Sequence, residues 1–132
     1  MITLDTSAVV ALALRDDRNH VAAIGELMAR RDRVVVPAAI LAEVDHALRS
    51  RRGDPSCVPL LEGIQRGDTF LDPGDRDLPR VLELMLGFRE IALPLARAAV
   101  AACAERNGGS LLTFDRGALG VLAHQIPITL VP

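Results

Sequence analysis

Five short apolar runs constrain this chain most. Ile2–Leu4, Val34–Val36, Thr69–Leu71, Ser110–Phe114 and Ile128–Val131 are separated by stretches with helical periodicity. Strands this short, joined by helices, imply right-handed crossovers and a mostly parallel sheet covered on both faces. One helix is expected directly after Asp5-Thr6-Ser7. Others are expected over Asp16–Arg31, Ala38–Arg52, Pro55–Gln65, Arg76–Phe88 and Pro94–Arg106, where apolar residues recur three and four apart. Gly53, Gly67 and Asn107-Gly108-Gly109 supply stop signals. No repeat, low-complexity tract or linker interrupts the 132 residues, so a single α/β domain over 1–132 is expected.

Composition narrows the class. An apolar fraction of 50% excludes a disordered chain. No apolar run approaches the ~18 residues needed to cross a bilayer. Asp5 also falls too early for a signal peptide. Cys57 and Cys103 are too few for a disulfide scaffold or a zinc framework. A soluble, cytoplasmic protein with no membrane partner is therefore expected. All 15 basic residues are arginine, yet the net charge is −2, so any surface for nucleic acid must be a local patch.

Three acids stand out by position. Ligands of open α/β sheets bind beyond the carboxyl ends of the strands. Asp5 follows the first apolar run and Asp115 follows the fourth. Glu43 lies in a helical stretch whose turn neighbours are Ala39, Ile40 and Ala47, and a carboxylate among apolar residues is costly unless something satisfies it. Converging carboxylates suit Mg²⁺ or Mn²⁺, hard ions that take oxygen ligands and can activate a water. Each acid also has a purely structural explanation. Asp5 can cap a helix together with Thr6 or Ser7, Asp115 can open a turn, and Glu43 can sit on a helix surface. The residues alone leave both readings open.

Three strings carry a resemblance. Leu4-Asp5-Thr6-Ser7-Ala8, Leu41-Ala42-Glu43-Val44 and Leu112-Thr113-Phe114-Asp115-Arg116 are similar, in order and across the whole chain, to PIN domains. Among these the chain most resembles the VapC toxin components of bacterial VapBC toxin–antitoxin pairs. The resemblance implies a PIN-like three-layer α/β/α sandwich and a metal-dependent endoribonuclease toxin that cleaves RNA phosphodiesters. It implies a Mg²⁺ (or Mn²⁺) cofactor with Asp5, Glu43 and Asp115 as metal ligands and catalytic residues. It further implies an RNA substrate, a cognate VapB-like antitoxin and a homodimer. Thr6 would support Asp5 or a metal-bound water from the second shell. Arg49, Arg51 and Arg52 are candidates for RNA contact, although cations at a helix C-terminus also suit the dipole.

One residue departs from the pattern. The family carries an acid at the start of the late helix, whereas this chain reads Leu95-Ala96-Arg97-Ala98. A guanidinium there changes the local charge by two units and offers planar donors for the clustered carboxylates. It also opposes an incoming divalent ion. At ~5 Å and an effective dielectric of ~20, a +1/+2 pair costs on the order of 6 kcal/mol. Arg97 is therefore expected to pair with Asp5 or Asp115 and to leave metal affinity weak or absent. The alternative function is a catalytically impaired PIN-like protein that binds RNA or a protein partner.

Overall fold

The computed structural model describes residues 1–53 and 55–132. Its strands are β1 (Ile2–Leu4), β2 (Val34–Pro37), β3 (Phe70–Asp72), β4 (Ser110–Leu112) and β5 (Thr129–Val131). Its helices are α1 (Thr6–Ala13), α2 (His20–Arg30), α3 (Leu41–Arg49), α4 (Val58–Arg66), α5 (Leu78–Gly87), α6 (Leu95–Arg106) and α7 (Gly117–Ala123).

The strands form one sheet in the order β3-β2-β1-β4-β5. Every pairing is parallel, with Thr3 of β1 opposite Val35 on one side and Leu111 on the other. The chain moves outward from β1 to β3, then crosses back to build β4 and β5 on the far side. Strand order therefore reverses between β1 and β4, and the crevice at their carboxyl ends is where such sheets take ligands. Asp5 follows one of those ends and Thr113 the other.

The helices form two groups, α1 with α2 and α3, and α6 with α5 and α7, giving the outer layers of an α/β/α sandwich. Ile2, Leu4, Val36, Leu111 and Leu112 of the sheet are buried against Val44 and Leu48 of α3, Leu84 of α5 and Leu119 and Leu122 of α7. Helix α6 buries Ala98, Val100, Ala101, Ala102, Cys103 and Ala104, so it is apolar almost all round, as a helix pressed into the core must be. Its small side chains allow that close approach. None of the described helices is long and apolar enough to cross a membrane.

Local chemistry moves several boundaries from their expected places. Helix α2 starts at His20 rather than Asp16, because the Asp17 carboxylate accepts the Asn19 N–H at 2.8 Å and turns the chain there. The expected helix over 38–52 divides into a 3-10 turn, Ala38–Ile40, and α3. It closes where the Ser50 hydroxyl donates to the Ala47 carbonyl at 2.7 Å. Helix α7 was not expected at all: Gly117 and Gly120 dilute its signal.

Candidate functional site

Asp5 is fully buried at the start of α1. It caps that helix by accepting the Ala8 N–H at 2.9 Å on Oδ1, the role a residue at this position takes in satisfying orphan helix donors. Two hydroxyls also reach it. Ser7 donates to Oδ1 at 2.7 Å and Thr113 donates to Oδ2 at 2.5 Å. Each hydroxyl is itself held by the segment beyond β4, since Ser7 Oγ accepts the Phe114 N–H at 2.8 Å and Thr113 Oγ1 accepts the Asp115 N–H at 3.0 Å. Burial pushes the Asp5 carboxyl above its ordinary 3.8, while the donors from Thr113, Ser7 and Ala8 and the charge of Arg97 pull it back.

Glu43 and Asp115 meet at Arg97. The guanidinium Nη1 lies 3.2 Å from Glu43 Oε1 and Nη2 lies 3.5 Å from Asp115 Oδ2. Arg97 is the most buried of the three side chains, at 19% exposure against 40% for Glu43 and 57% for Asp115. It sits in the first turn of α6, which holds no acid and no side-chain cap. A helix N-terminus disfavours a cation, so the two carboxylates hold Arg97 against the dipole. Arg97 reaches Asp5 through its charge rather than through a hydrogen bond. The Thr6 hydroxyl donates to Glu43 Oε1, whereas the sequence offered Asp5 or a metal-bound water as its partner.

The donor set is poorly suited to a divalent ion as it stands. A hard cation needs free carboxylate oxygens close together, and here a guanidinium occupies oxygens of Glu43 and Asp115. Among the described residues, the one set of three ligand-type atoms mutually within 4.8 Å belongs to Asp72, Asp77 and Cys103, away from this centre. Arginine fills that set as well. Arg106 donates to Asp77 at 2.6 Å through Nε and to Asp72 at 2.7 Å through Nη2, and Asn107 donates to Asp72 at 3.1 Å.

The three arginines proposed for RNA contact separate. Arg49 pairs with Asp45 at 3.1 Å on the surface of α3. Arg52 is exposed in the turn that follows. Arg51 alone lines a cavity of about 290 Å³ next to the acidic centre, together with Arg18, Asn19, Arg97 and Phe114. Sequence reasoning missed Arg18 and Asn19, which stand in the stretch assigned to helix. It gave Ser7 only a capping role and gave Thr113 none, although both stand inside the same short strings as Asp5 and Asp115.

The family model for the PIN domain matches residues 2–122. A search of curated proteins finds no match. Three solved structures share the fold. VapC20 of Mycobacterium tuberculosis, described as a sarcin-ricin loop cleaving toxin, aligns with a TM-score of 0.76 at 21% identity, covering 96% of each chain. VapBC2 of Rickettsia felis, bound to a promoter DNA fragment, aligns at 0.68 and 17% identity over 99% of this chain and 98% of that one. FitAcB of Neisseria gonorrhoeae aligns at 0.62 and 16% identity over 100% and 97%. With the family model matching nearly the whole chain and the α/β/α sandwich in place, the chain belongs to the PIN domain family.

Proposed function

We propose that this chain is a VapC-type, RNA-directed PIN-domain protein whose metal-dependent phosphodiesterase chemistry is held off by Arg97. One observation carries the reading: the guanidinium stands between Glu43 and Asp115 at 3.2 and 3.5 Å. Clustered carboxylates repel one another, and a positive charge among them relieves that repulsion without an ion. The remaining scaffold of such a centre is intact, since Asp5 keeps its three donors and Glu43 keeps the Thr6 hydroxyl. Fold likeness to VapC20, a sarcin-ricin loop cleaving toxin, supports RNA as the target class, and likeness to VapBC2 supports an antitoxin-like protein as partner. A homodimer and a cytoplasmic setting belong to the same reading.

The test is Mn²⁺ titration by calorimetry beside a ribonuclease assay. The unmodified chain is expected to bind Mn²⁺ weakly or not at all and to leave RNA uncut. Arg97→Asp is expected to bind the ion and cleave, with Asp5, Glu43, Asp115 and the new acid as ligands. Micromolar Mn²⁺ binding and RNA cleavage by the unmodified chain would overturn the proposal in favour of an active metal-dependent endoribonuclease.

A further inference from the structure

Beside the acidic centre, the cavity of about 290 Å³ joins elements far apart in sequence: Thr6 and Ser7 of α1, Arg18 and Asn19 before α2, Arg51 after α3, Arg97 of α6 and Phe114 after β4. Three guanidiniums and one carboxylate, Asp17, line it, Arg97 being held by Glu43 and Asp115 from the neighbouring centre. That carboxylate is already committed, accepting from Arg51 at 3.0 Å and from the Asn19 N–H at 2.8 Å. Arg18 is exposed and has no carboxylate partner among the described residues. The start of α2 adds positive potential, because Asn19 at its N-cap makes no side-chain cap and leaves helix donors open. Phe114 is one of three aromatic residues in the chain, and it stands in this wall.

We infer that this cavity is a nucleotide subsite for single-stranded RNA, flanking the acidic centre. Arg18 and Arg51 would hold a backbone phosphate, and Phe114 would offer a face to the attached base. Cationic groups tracking the backbone beside an aromatic platform are the means by which proteins take single strands. Bases free to leave the stack favour a single strand over a duplex. A bare phosphate would use the guanidiniums and leave Phe114 idle. The inference rests on the RNA-directed reading above, yet it needs neither metal nor cleavage.

Fluorescence anisotropy with a short labelled single-stranded RNA, in EDTA and on the full chain, tests it. Arg18→Ala is expected to weaken binding about tenfold, the size of one charge-assisted contact, and to flatten the dependence on log salt by about 0.7. Phe114→Leu is expected to weaken it by a similar factor through lost stacking. Arg66→Ala, at the end of α4 and so at the opposite, amino edge of the sheet, is expected to bind as the unmodified chain does. Equal affinity for a duplex would overturn the nucleotide assignment. Binding that survives both Arg18→Ala and Phe114→Leu would overturn the subsite while the RNA-directed reading stands. No binding by the unmodified chain would overturn both.

Discussion

The Thr113 hydroxyl joins two strand ends, donating to Asp5 Oδ2 at 2.5 Å while accepting the Asp115 N–H at 3.0 Å. Removing it in Thr113→Val strips a donor from a buried carboxylate, at a cost of about 2 kcal/mol. The cost depends on pH. The Asp5 carboxyl is already raised by burial, so its folded state binds the proton more tightly than the unfolded chain does. Its contribution to stability is present at low pH and is lost as pH rises through the folded pKa. Thr113→Val is expected to raise that pKa further and to be more destabilising at pH 7 than at pH 4. Urea unfolding at the two pH values reads the difference. An equal loss at both would contradict it.

Arg106 is expected to matter more for stability than any exposed ion pair. It serves Asp72 and Asp77, both buried, and Arg106→Leu leaves two carboxylates uncompensated at a cost of about 3 kcal/mol or more. Burial alone would raise the Asp72 pKa, but donors from Arg106 and Asn107 outweigh it and hold the carboxyl below its ordinary 3.8. The stabilisation is present above that value and is lost as pH falls through the lowered pKa. Acid unfolding below about pH 4 should therefore be shallower in Arg106→Leu than in the unmodified chain. By contrast, Asp115→Asn, at an acid 57% exposed, should shift the urea midpoint little.

Gly109 admits no side chain. Its φ is +91°, and a Cβ built there would lie 2.8 Å from the Pro127 carbonyl oxygen. Backbone on both sides is fixed, with the Gly109 N–H on Ala104 O and the Thr129 N–H on Gly109 O, each at 2.7 Å. Gly109→Ala is expected to cost about 3 kcal/mol, from strain plus displacement of β5. A melting temperature within a degree or so of the unmodified chain would refute this.

The two thiols should differ in reactivity. Cys103 is buried, and its pKa is pushed up to about 12 by burial and by the neighbouring Asp72 charge. Cys57 is partly exposed at the start of α4, its pKa raised by burial and by a hydrogen bond to Asp45. A disulfide reagent at pH 8 is expected to modify Cys57 slowly and Cys103 only after urea is added. Two equivalents taken up at the same rate by the folded protein would contradict it.

Much of the architecture was legible because the β-branched run Val34–Val36 and the capped start Asp5-Thr6-Ser7 announce themselves locally. Asp5 and Asp115 also announce themselves locally, because each follows an apolar run, and Glu43 because it interrupts an apolar helix face. Their partners were harder to read. Nothing near Arg97 in sequence tells that it meets Glu43, 54 residues away, and Thr113 reaches Asp5 across 108. Thr6 was expected to support Asp5 or a metal-bound water. The turn of α1 carries it instead to α3. Arg18 was hidden for a different reason: the periodicity before α2 reads as helix until the Asp17 side chain is seen to break it.

The position of Arg97 has an evolutionary consequence. The hydrogen bonds around Asp5 come from hydroxyls and backbone, and the Thr6 hydroxyl reaches Glu43 from another helix, so only the Arg97–Glu43 contact depends directly on whether residue 97 is basic or acidic. The first turn of α6 favours an acid on its own account. On the function proposed above, the difference between a silent and a working centre would be confined to one codon. On that reading, natural variants with an acid at position 97 would be expected to diverge abruptly in activity and to rely on a bound ion for the charge balance that Arg97 now supplies.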